Sequence, residues 1–268
     1  MQHVRAAAPV APWRGGKKTL AARIIERIEA IPHKTYVEPF VGMGGVFLRR
    51  RLKPTCEVAN DLNGEIVNLF RVLQRHLPFL LDHMRFQITS RRAFENLRNT
   101  PPDGLTDIER AARFLYLQRL AFGGQVAGVF GVSPGNRPRF SVSRIEPILE
   151  AAHERLDGVI FECLPWLEVF ARYDTPETLV YLDPPYAGGE ADYGKDMFAW
   201  SDFELMAQTM RAMAGQAILS INDTPEIREV FDGFHMEEMR LTYSISKGEG
   251  TIAKELLIST SRDASRLL

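Results

Sequence analysis

The sequence predicts an α/β fold, with a seven-stranded, mostly parallel sheet that ends in a C-terminal antiparallel hairpin, and with a mainly helical inserted domain. Seven short apolar runs have the composition of buried strands, and helix-period segments separate several of them. This alternation fails between residues 66 and 147, which marks the insertion. With 268 residues, 45% of them hydrophobic, the chain is long enough for one large core and is neither disordered nor a small disulfide scaffold.

The strands are short runs rich in Val, Ile, Phe or Tyr, several of which end in Asp, Gly or Pro. They are predicted at residues 36–40, 56–60, 159–163, 179–182, 217–221, 235–245 and 255–260. Residues 246–250 leave no room for a helix between the last two runs, so these runs are expected to form the antiparallel hairpin at the sheet edge.

Helices between the strands are predicted from the 3.6-residue spacing of apolar positions. They are expected at residues 19–31, 46–52, 64–85 and 203–214. Ser201 and Glu204 have the spacing of a capping box for the last of these helices. The main domain is therefore assigned to residues 1–65 and 148–268.

The insertion, residues 66–147, is predicted to be helical at 70–76, 93–98 and 106–121, the last with a Thr106/Glu109 capping box, and loop-like beyond. Residues 85–144 contain ten arginines, no lysine and four acidic residues. This segment has a net charge of +6, against −7 for the rest of the chain. Such asymmetry indicates a surface that faces a polyanion such as nucleic acid. The alternative is that these arginines lie on solvent-exposed helix faces without a nucleic-acid partner.

Composition also sets expectations for location and metal content. The net charge is −1, and Cys56 and Cys163 are too few for a disulfide framework or a zinc cluster. No signal peptide and no apolar run of 18 residues is recognisable, and the six histidines lack ligand spacing. A cytoplasmic protein without a bound metal and without a membrane segment is predicted.

A glycine-rich loop follows the first strand and opens the next helix. Glu38, Phe40, Gly42 and Gly44 belong to this loop, where missing side chains let the backbone approach a ligand. Phe47 occupies the position where a dinucleotide fingerprint requires glycine. The loop is therefore a candidate for binding a cofactor other than a dinucleotide.

Asp61 ends the second strand, 19 positions after Gly42, where a carboxylate accepts hydrogen bonds from ribose hydroxyls. The alternative is a turn or helix-cap role. Near the N-terminus, Trp13, Gly16 and Lys17 place an aromatic ring, a glycine and a cation at a helix start, an arrangement suited to the carboxylate end of an amino-acid-like ligand. The alternative is that these residues form only a helix cap at the protein surface.

The sharpest motif is Asp183-Pro184-Pro185-Tyr186, directly after a predicted strand. The two prolines remove backbone donors and stiffen the turn, which leaves the Asp183 carboxylate and the Pro184 carbonyl as acceptors beside the Tyr186 ring. Two acceptors aimed at the amino group of a planar base would localise its lone pair and stabilise the positive charge that develops during attack. A strand that simply stops at Asp-Pro is the alternative.

A nucleoside cofactor beside a turn that activates an amine favours methyl transfer from a sulfonium such as S-adenosylmethionine. Such transfer needs in-line proximity and a dry site, and no metal.

These motifs resemble those of the Dam-like (D12 class) DNA adenine N6-methyltransferases, nearly end to end. The similar segments are 12–17, 37–44, 60–63, 116–119, 183–186, 221–223 and 254–258. The resemblance implies a Rossmann-like class I methyltransferase fold, S-adenosylmethionine as cofactor, DNA as substrate, and a recognition domain inserted between the cofactor loop and the catalytic turn.

By the same resemblance, Asp183, Pro184 and Tyr186 are the predicted catalytic residues, with Asp183 and Tyr186 facing a flipped adenine. The predicted cofactor-binding residues are Trp13, Gly16, Lys17, Glu38, Phe40, Gly42, Gly44, Asp61, Leu62 and Asp183. Phe40 and Leu62 would flank the cofactor's adenine, and Asp61 would bind its ribose.

The recognition segment departs most from the family pattern. Gln118 replaces an Asn of the family, and residues 125–128 shorten a basic hairpin. These changes remove candidate contacts to base edges, and each good bidentate contact is worth about 1–3 kcal/mol of discrimination between bases. A target different from GATC, the familiar target of the family, is therefore expected. The predicted DNA-contacting residues are Arg92, Gln118, Arg119, Gln125, Arg137 and Arg139.

The predicted partner is double-stranded DNA, and the predicted enzyme is a monomer. A companion restriction nuclease or a phage context stays open. Methylation of cytosine N4 or of an RNA base, and a DNA-binding module that has lost catalysis, are the alternatives to adenine N6 methylation. A nicotinamide oxidoreductase is disfavoured by Phe47 and by the lack of a hydride-transfer acid.

Overall fold

The computed structural model describes residues 1–13, 15–122, 128–131, 135, 139–188, 198–242 and 252–260. Its strands are β1 (Gln2–His3), β2 (Thr35–Glu38), β3 (Leu52–Lys53), β4 (Cys56–Asn60), β5 (Ile160–Glu162), β6 (Thr178–Leu182), β7 (Gln216–Asn222), β8 (His235–Thr242) and β9 (Ile252–Ser259). Its α-helices are α1 (Ala21–Ala30), α2 (Gly64–Met84), α3 (Arg91–Asn99), α4 (Asp107–Leu120), α5 (Val142–Arg155), α6 (Trp166–Tyr173), α7 (Trp200–Ala212) and α8 (Pro225–Val230).

Seven of these strands form one sheet in the order β5–β4–β2–β6–β7–β9–β8. The first five are parallel, whereas β9 is antiparallel to both β7 and β8. This confirms the predicted seven-stranded, mostly parallel sheet with a C-terminal antiparallel hairpin. The loop predicted at 246–250 and the predicted strand end at 243–245 lie outside the described residues.

The carboxyl ends of β2, β4, β6 and β7 lie along one edge of the sheet, the edge where open α/β folds bind ligands. Because β9 runs antiparallel to β7 and pairs Glu255 with Asn222, the beginning of β9 reaches the same edge. A residue close to the C-terminus is thereby placed next to the turn that follows β6.

The sheet separates two apolar cores. One contains side chains from α1, α2, α4 and α5, including Ile24, Leu69, Phe114 and Leu149. The other is built from α6, α7 and the opposite sheet face. Helices of the predicted insertion therefore share a core with the main domain. The expected boundaries at 65/66 and 147/148 fall inside α2 and α5, and the division into two domains stays a prediction.

Helix ends follow local chemistry. Thr106 and Glu109 form the predicted capping box of α4: Glu109 Oε2 accepts from the Thr106 N–H at 2.9 Å, and Thr106 Oγ1 accepts from the Glu109 N–H at 3.4 Å. Helix α2 is kinked at His76, two residues before Pro78, whose ring and missing N–H interrupt a helix.

Two predicted helix features are wrong. Residues 46–52 form a 3-10 turn, Phe47–Arg49, followed by β3. Pro54 restricts Lys53 to extended backbone, which favours the short strand. The Ser201/Glu204 capping box is also wrong, because α7 begins at Trp200 and Asp202 accepts from the Ala199 N–H at 2.7 Å.

Within the described residues, no helix is both long enough and apolar enough to span a membrane.

A buried ion cluster lies in the core between β4 and α5. Glu57 accepts from Arg50 at 2.8 Å and from Arg155 at 2.7 Å, and the side chains of all three are fully buried. Arg50 also lies 3.5 Å from the centroid of the Tyr36 ring. The free-energy cost of burying these charges is offset only while the Glu57 carboxylate contacts both guanidinium groups.

Glu57→Gln is expected to lower the free energy of unfolding by about 3–5 kcal/mol, the cost of leaving buried charges uncompensated. The matched control is Glu177→Gln, which breaks the exposed ion pair with Lys34 and should cost less than about 1 kcal/mol. Urea unfolding of both variants measures the difference. Equal losses would contradict a structural role for the Glu57 cluster.

Candidate active site

A cavity of about 690 Å³ opens at the carboxyl edge of the sheet. Its lining includes Trp13, Lys17, Phe40, Gly42, Asp61 and Asp183. The structure thus brings together the N-terminal motif, the glycine-rich loop, the acid after β4 and the turn after β6. Gly16 and Leu62, two further predicted cofactor-binding residues, also line this cavity.

Gly42 joins the loop after β2 to Asp61. Its φ is +50°, and a Cβ here would lie 2.8 Å from Nε1 of Trp13, so both the backbone and the space require glycine. The Gly42 N–H donates to Asp61 Oδ2 at 2.9 Å, and the Asn63 N–H donates to Oδ1 at 2.9 Å. Burial raises the pKa of Asp61 to about 6, against these two hydrogen bonds, which favour the carboxylate.

Glu38 and Gly44 do not belong to the cavity lining, in contrast to the predicted set of cofactor-binding residues. Gly44 has a φ of +70° and packs against Leu48, so it shapes the loop from beneath. Glu38 is buried and accepts from the Tyr36 hydroxyl at 2.6 Å. Its burial raises its pKa to about 8, although Tyr36 and Arg50 favour the ionised form.

Asn60 holds the floor of the site in place. Its side-chain amide donates to the carbonyls of Pro39 and Leu164 at 2.9 and 3.0 Å, and its oxygen accepts from the Leu164 N–H at 2.9 Å. The loop after β2 is thereby tied to the loop after β5. The strand prediction ended at Asn60 but did not assign it a role.

One wall of the cavity is apolar. Phe40 contacts Phe198 edge to face at a ring-centroid distance of 6.1 Å, and Trp166 lies nearby on the same lining. Trp166 Nε1 donates to Asp202 Oδ1 at 3.4 Å. Asp202, at the start of α7, thereby places a carboxylate next to Trp166.

The Asp183 carboxylate has two donors at one oxygen: Lys17 Nζ at 2.9 Å and the Ser220 hydroxyl at 3.0 Å. Burial raises the pKa of Asp183, and the Lys17 ammonium opposes this shift. Asn222 fixes the turn from β7, since its amide exchanges hydrogen bonds with the backbone of Ala187 at 2.9 and 3.1 Å.

Lys17 is almost completely buried and joins Asp183 to two further groups. Its ammonium donates to the Tyr186 hydroxyl at 2.7 Å and lies 3.5 Å from Glu255 Oε2. The Tyr186 hydroxyl in turn donates to Glu255 Oε1. Pro184, which follows Asp183 in the turn, is buried. Glu255 was predicted only as part of a strand, and its role depends on the strand register.

The predicted DNA-contacting residues separate into three groups. Arg92 and Arg139 are exposed. Gln118 is fully buried and donates to the Pro12 carbonyl at 2.7 Å, and Arg119 donates to the Val10 carbonyl at 2.6 Å while lining the cavity. The side chain of Gln118 is thus held by the backbone in this structure, and its role as a DNA contact stays a prediction. Gln125 and Arg137 lie outside the described residues.

Of the side chains that the structure describes, no group of three or more His, Cys, Asp or Glu residues is arranged to hold a metal ion.

The raised pKa of Glu38 predicts a pH-dependent stability. The folded state holds a proton that the unfolded state releases above pH about 4.5, so this stabilising contribution is lost as the pH rises towards 8. Glu38→Gln keeps an acceptor for Tyr36 and removes the titration. Between pH 5 and pH 8, the stability of the variant relative to the native chain should rise by about 3–4 kcal/mol, at about 1.4 kcal/mol per pKa unit. Denaturant unfolding at both pH values tests this, and a pH-independent difference would contradict it.

The chain is similar in sequence to a known protein family and to several known DNA methyltransferases. The family described as D12 class N6 adenine-specific DNA methyltransferase matches residues 13–245. The type II methyltransferase M.CviBI of Paramecium bursaria Chlorella virus NC1A is 25% identical over 92% of this chain and 95% of its own length. The retron Ec67 DNA adenine methylase of Escherichia coli is 28% identical over 91% of this chain and 88% of its own.

The DNA adenine methylase of Haemophilus influenzae is 26% identical over 89% of this chain and 88% of its own length. These matches confirm the predicted family and enzyme class, and the sheet is consistent with a Rossmann-like methyltransferase fold. The chain belongs to the D12 class of N6 adenine-specific DNA methyltransferases, which methylate adenine in DNA with S-adenosylmethionine as methyl donor.

Proposed function

We propose that the cavity at the carboxyl edge of the sheet binds S-adenosylmethionine and receives an adenine flipped out of double-stranded DNA. The observation that carries this proposal is that Asp61 and Asp183, acids suited to a ribose and to an amine, line the same cavity. A site of this kind binds a nucleoside cofactor next to an acceptor for a base.

The residues present fit S-adenosylmethionine. A volume of about 690 Å³ is within the range of small-molecule sites. Asp61 would accept from the ribose hydroxyls, and Phe40 and Leu62 would flank the adenine. The N-terminal residues Trp13 and Lys17 would bind the amino-acid end. The cofactor supplies an electrophilic methyl group.

The turn after β6 would act on the target amine. Asp183 and the Pro184 carbonyl accept its hydrogens, which localises the nitrogen lone pair and stabilises the positive charge that develops there. Tyr186 would stack on the flipped base. Extrusion of the base costs a few kcal/mol, which stacking and these hydrogen bonds offset. The reaction needs no metal, because the methyl group is already activated.

The exposed arginines of the insertion support duplex binding. Arg92 on α3 and Arg139 before α5 are open to solvent on a segment with a net charge of +6. Guanidinium groups placed in this way neutralise phosphates and release counterions. We propose that the enzyme acts as a monomer. Both a solitary role and a companion restriction nuclease or phage context are compatible with the proposed chemistry.

Asp183→Asn removes the charge and retains the shape of the side chain. Methyl transfer should fall by about 10²- to 10³-fold or more, the range seen when one preorganised electrostatic contact is lost. Tritiated-methyl incorporation into duplex DNA measures the rate, and nuclease digestion with mass spectrometry identifies the product.

The control is Asp232→Asn, an exposed acid after α8, which should keep the native rate. Native-like activity of Asp183→Asn would refute its role. N4-methylcytosine as the product, or methyl incorporation into RNA supplied in place of DNA, would instead support the alternative substrates.

Arg92→Ala and Arg139→Ala should each weaken DNA binding and reduce the slope of log K against log salt by about 0.9, since each loses one phosphate contact. Fluorescence anisotropy with a labelled duplex at several salt concentrations gives the slopes. Arg172→Ala on α6, outside the insertion, is the matched control and should leave the slope unchanged. An unchanged slope in both insertion variants would remove this surface from the DNA interface.

A further inference from the structure

Lys17 is placed between two carboxylates that come from opposite ends of the sequence. Its ammonium lies 2.9 Å from Asp183 Oδ1 and 3.5 Å from Glu255 Oε2. The side chains of Lys17 and Glu255 are 2% and 3% exposed, whereas that of Asp183 is 22% exposed. The cation is therefore shared between a carboxylate that faces the cavity and one that is buried behind it.

The shorter contact conflicts with the role proposed for Asp183. Oδ1 already accepts from both Lys17 and Ser220, and a cation at hydrogen-bond distance weakens a carboxylate as an acceptor for an amine. An ammonium held there also repels the positive charge that develops on the attacking nitrogen. Efficient transfer requires Lys17 to interact less strongly with Asp183 once the base is bound.

Glu255 offers the alternative position. A shift of about 0.6 Å would bring Lys17 Nζ from 3.5 Å to the usual distance of a charge-assisted hydrogen bond to Glu255. The Tyr186 hydroxyl, which accepts from Lys17 and donates to Glu255, bridges the two groups. The displacement is small and needs no change in the sheet.

We propose that Glu255 is a positioning residue, which takes the Lys17 ammonium from Asp183 when the target base enters and so leaves Asp183 to accept from the amine. This inference rests on the proposed function of Asp183. Three charges are involved, two carboxylates and one ammonium, so the cluster retains one negative charge for the positive charge that forms on the amine nitrogen. Among the residues that the structure describes, Glu38 and Tyr181 are two further buried ionisable groups that interact electrostatically with Asp183.

Glu255→Gln tests this, because the amide keeps an acceptor for Tyr186 and removes the charge that attracts Lys17. The value of kcat should fall by about 10- to 100-fold, the worth of one hydrogen bond to a charged group, with the KM for S-adenosylmethionine changed less than twofold. The acid limb of the pH profile should also move to lower pH, because the charge of Glu255 raises the pKa of Asp183. An unmoved limb would show that the charge of Glu255 does not act on Asp183.

Glu237→Gln is the matched control. It removes a carboxylate from neighbouring β8, where Glu237 pairs with Arg23 and Arg27 and not with Lys17. Its kcat and pH profile should equal those of the native enzyme. Thermal unfolding with and without S-adenosylhomocysteine, the demethylated form of the cofactor, shows whether each variant is folded and binds this molecule.

Tyr186→Phe separates the two possible routes. If Glu255 acts through Lys17, the effect of Glu255→Gln persists in the Tyr186→Phe background. Loss of the effect there would assign Glu255 to the orientation of Tyr186 and overturn the proposal. A native kcat in Glu255→Gln, or a lower kcat with an unmoved acid limb, would also overturn it. Because native enzyme is assayed in parallel for N6-methyladenine, failure of the proposed function itself would be seen separately.

Discussion

A single buried ammonium connects the parts of this active site. Lys17 comes from the segment before α1, Asp183 from the turn after β6, and Glu255 from β9, and all three meet within 3.5 Å. Removing charges from water costs several kcal/mol for each ion, and this cost is offset only where opposite charges meet in good geometry. The folded arrangement of these three segments is therefore coupled, since displacement of the segment that carries Lys17 leaves two carboxylates without their counterion.

The order of strands was largely predictable because buried parallel strands have continuous apolar runs bounded by Asp, Gly or Pro. All seven predicted strands overlap strands of the sheet. The errors have local causes. The segment after the glycine-rich loop has helical spacing, yet Pro54 and the buried ion pair of Arg50 with Glu57 favour a 3-10 turn and a short strand. Helix α5 was not predicted, because it contains Pro147 and proline is unfavourable inside a helix.

The site was predictable where it consists of residues at the ends of parallel strands. Asp61, Gly42 and Asp183 follow β4, β2 and β6, and the topology brings them to one cavity. Glu255 was not predictable, since its position depends on the register of antiparallel β9 with β7. The surroundings of Glu38 were not predictable either. Its motif position resembles that of a ligand-binding residue, but whether a strand-end side chain faces the cavity or the core is decided by packing.

The insertion and the cofactor cavity are joined by short contacts. On α4, Gln118 and Arg119 donate to the carbonyls of Pro12 and Val10. Trp13, which follows Pro12 in the sequence, contacts Gly42. The Gly42 N–H donates a hydrogen bond to the Asp61 carboxylate. A movement of α4 would therefore act on the loop after β2 through two hydrogen bonds and one aromatic contact. The buried side chain of Gln118 thus connects α4 to Pro12, a residue that lines the cavity.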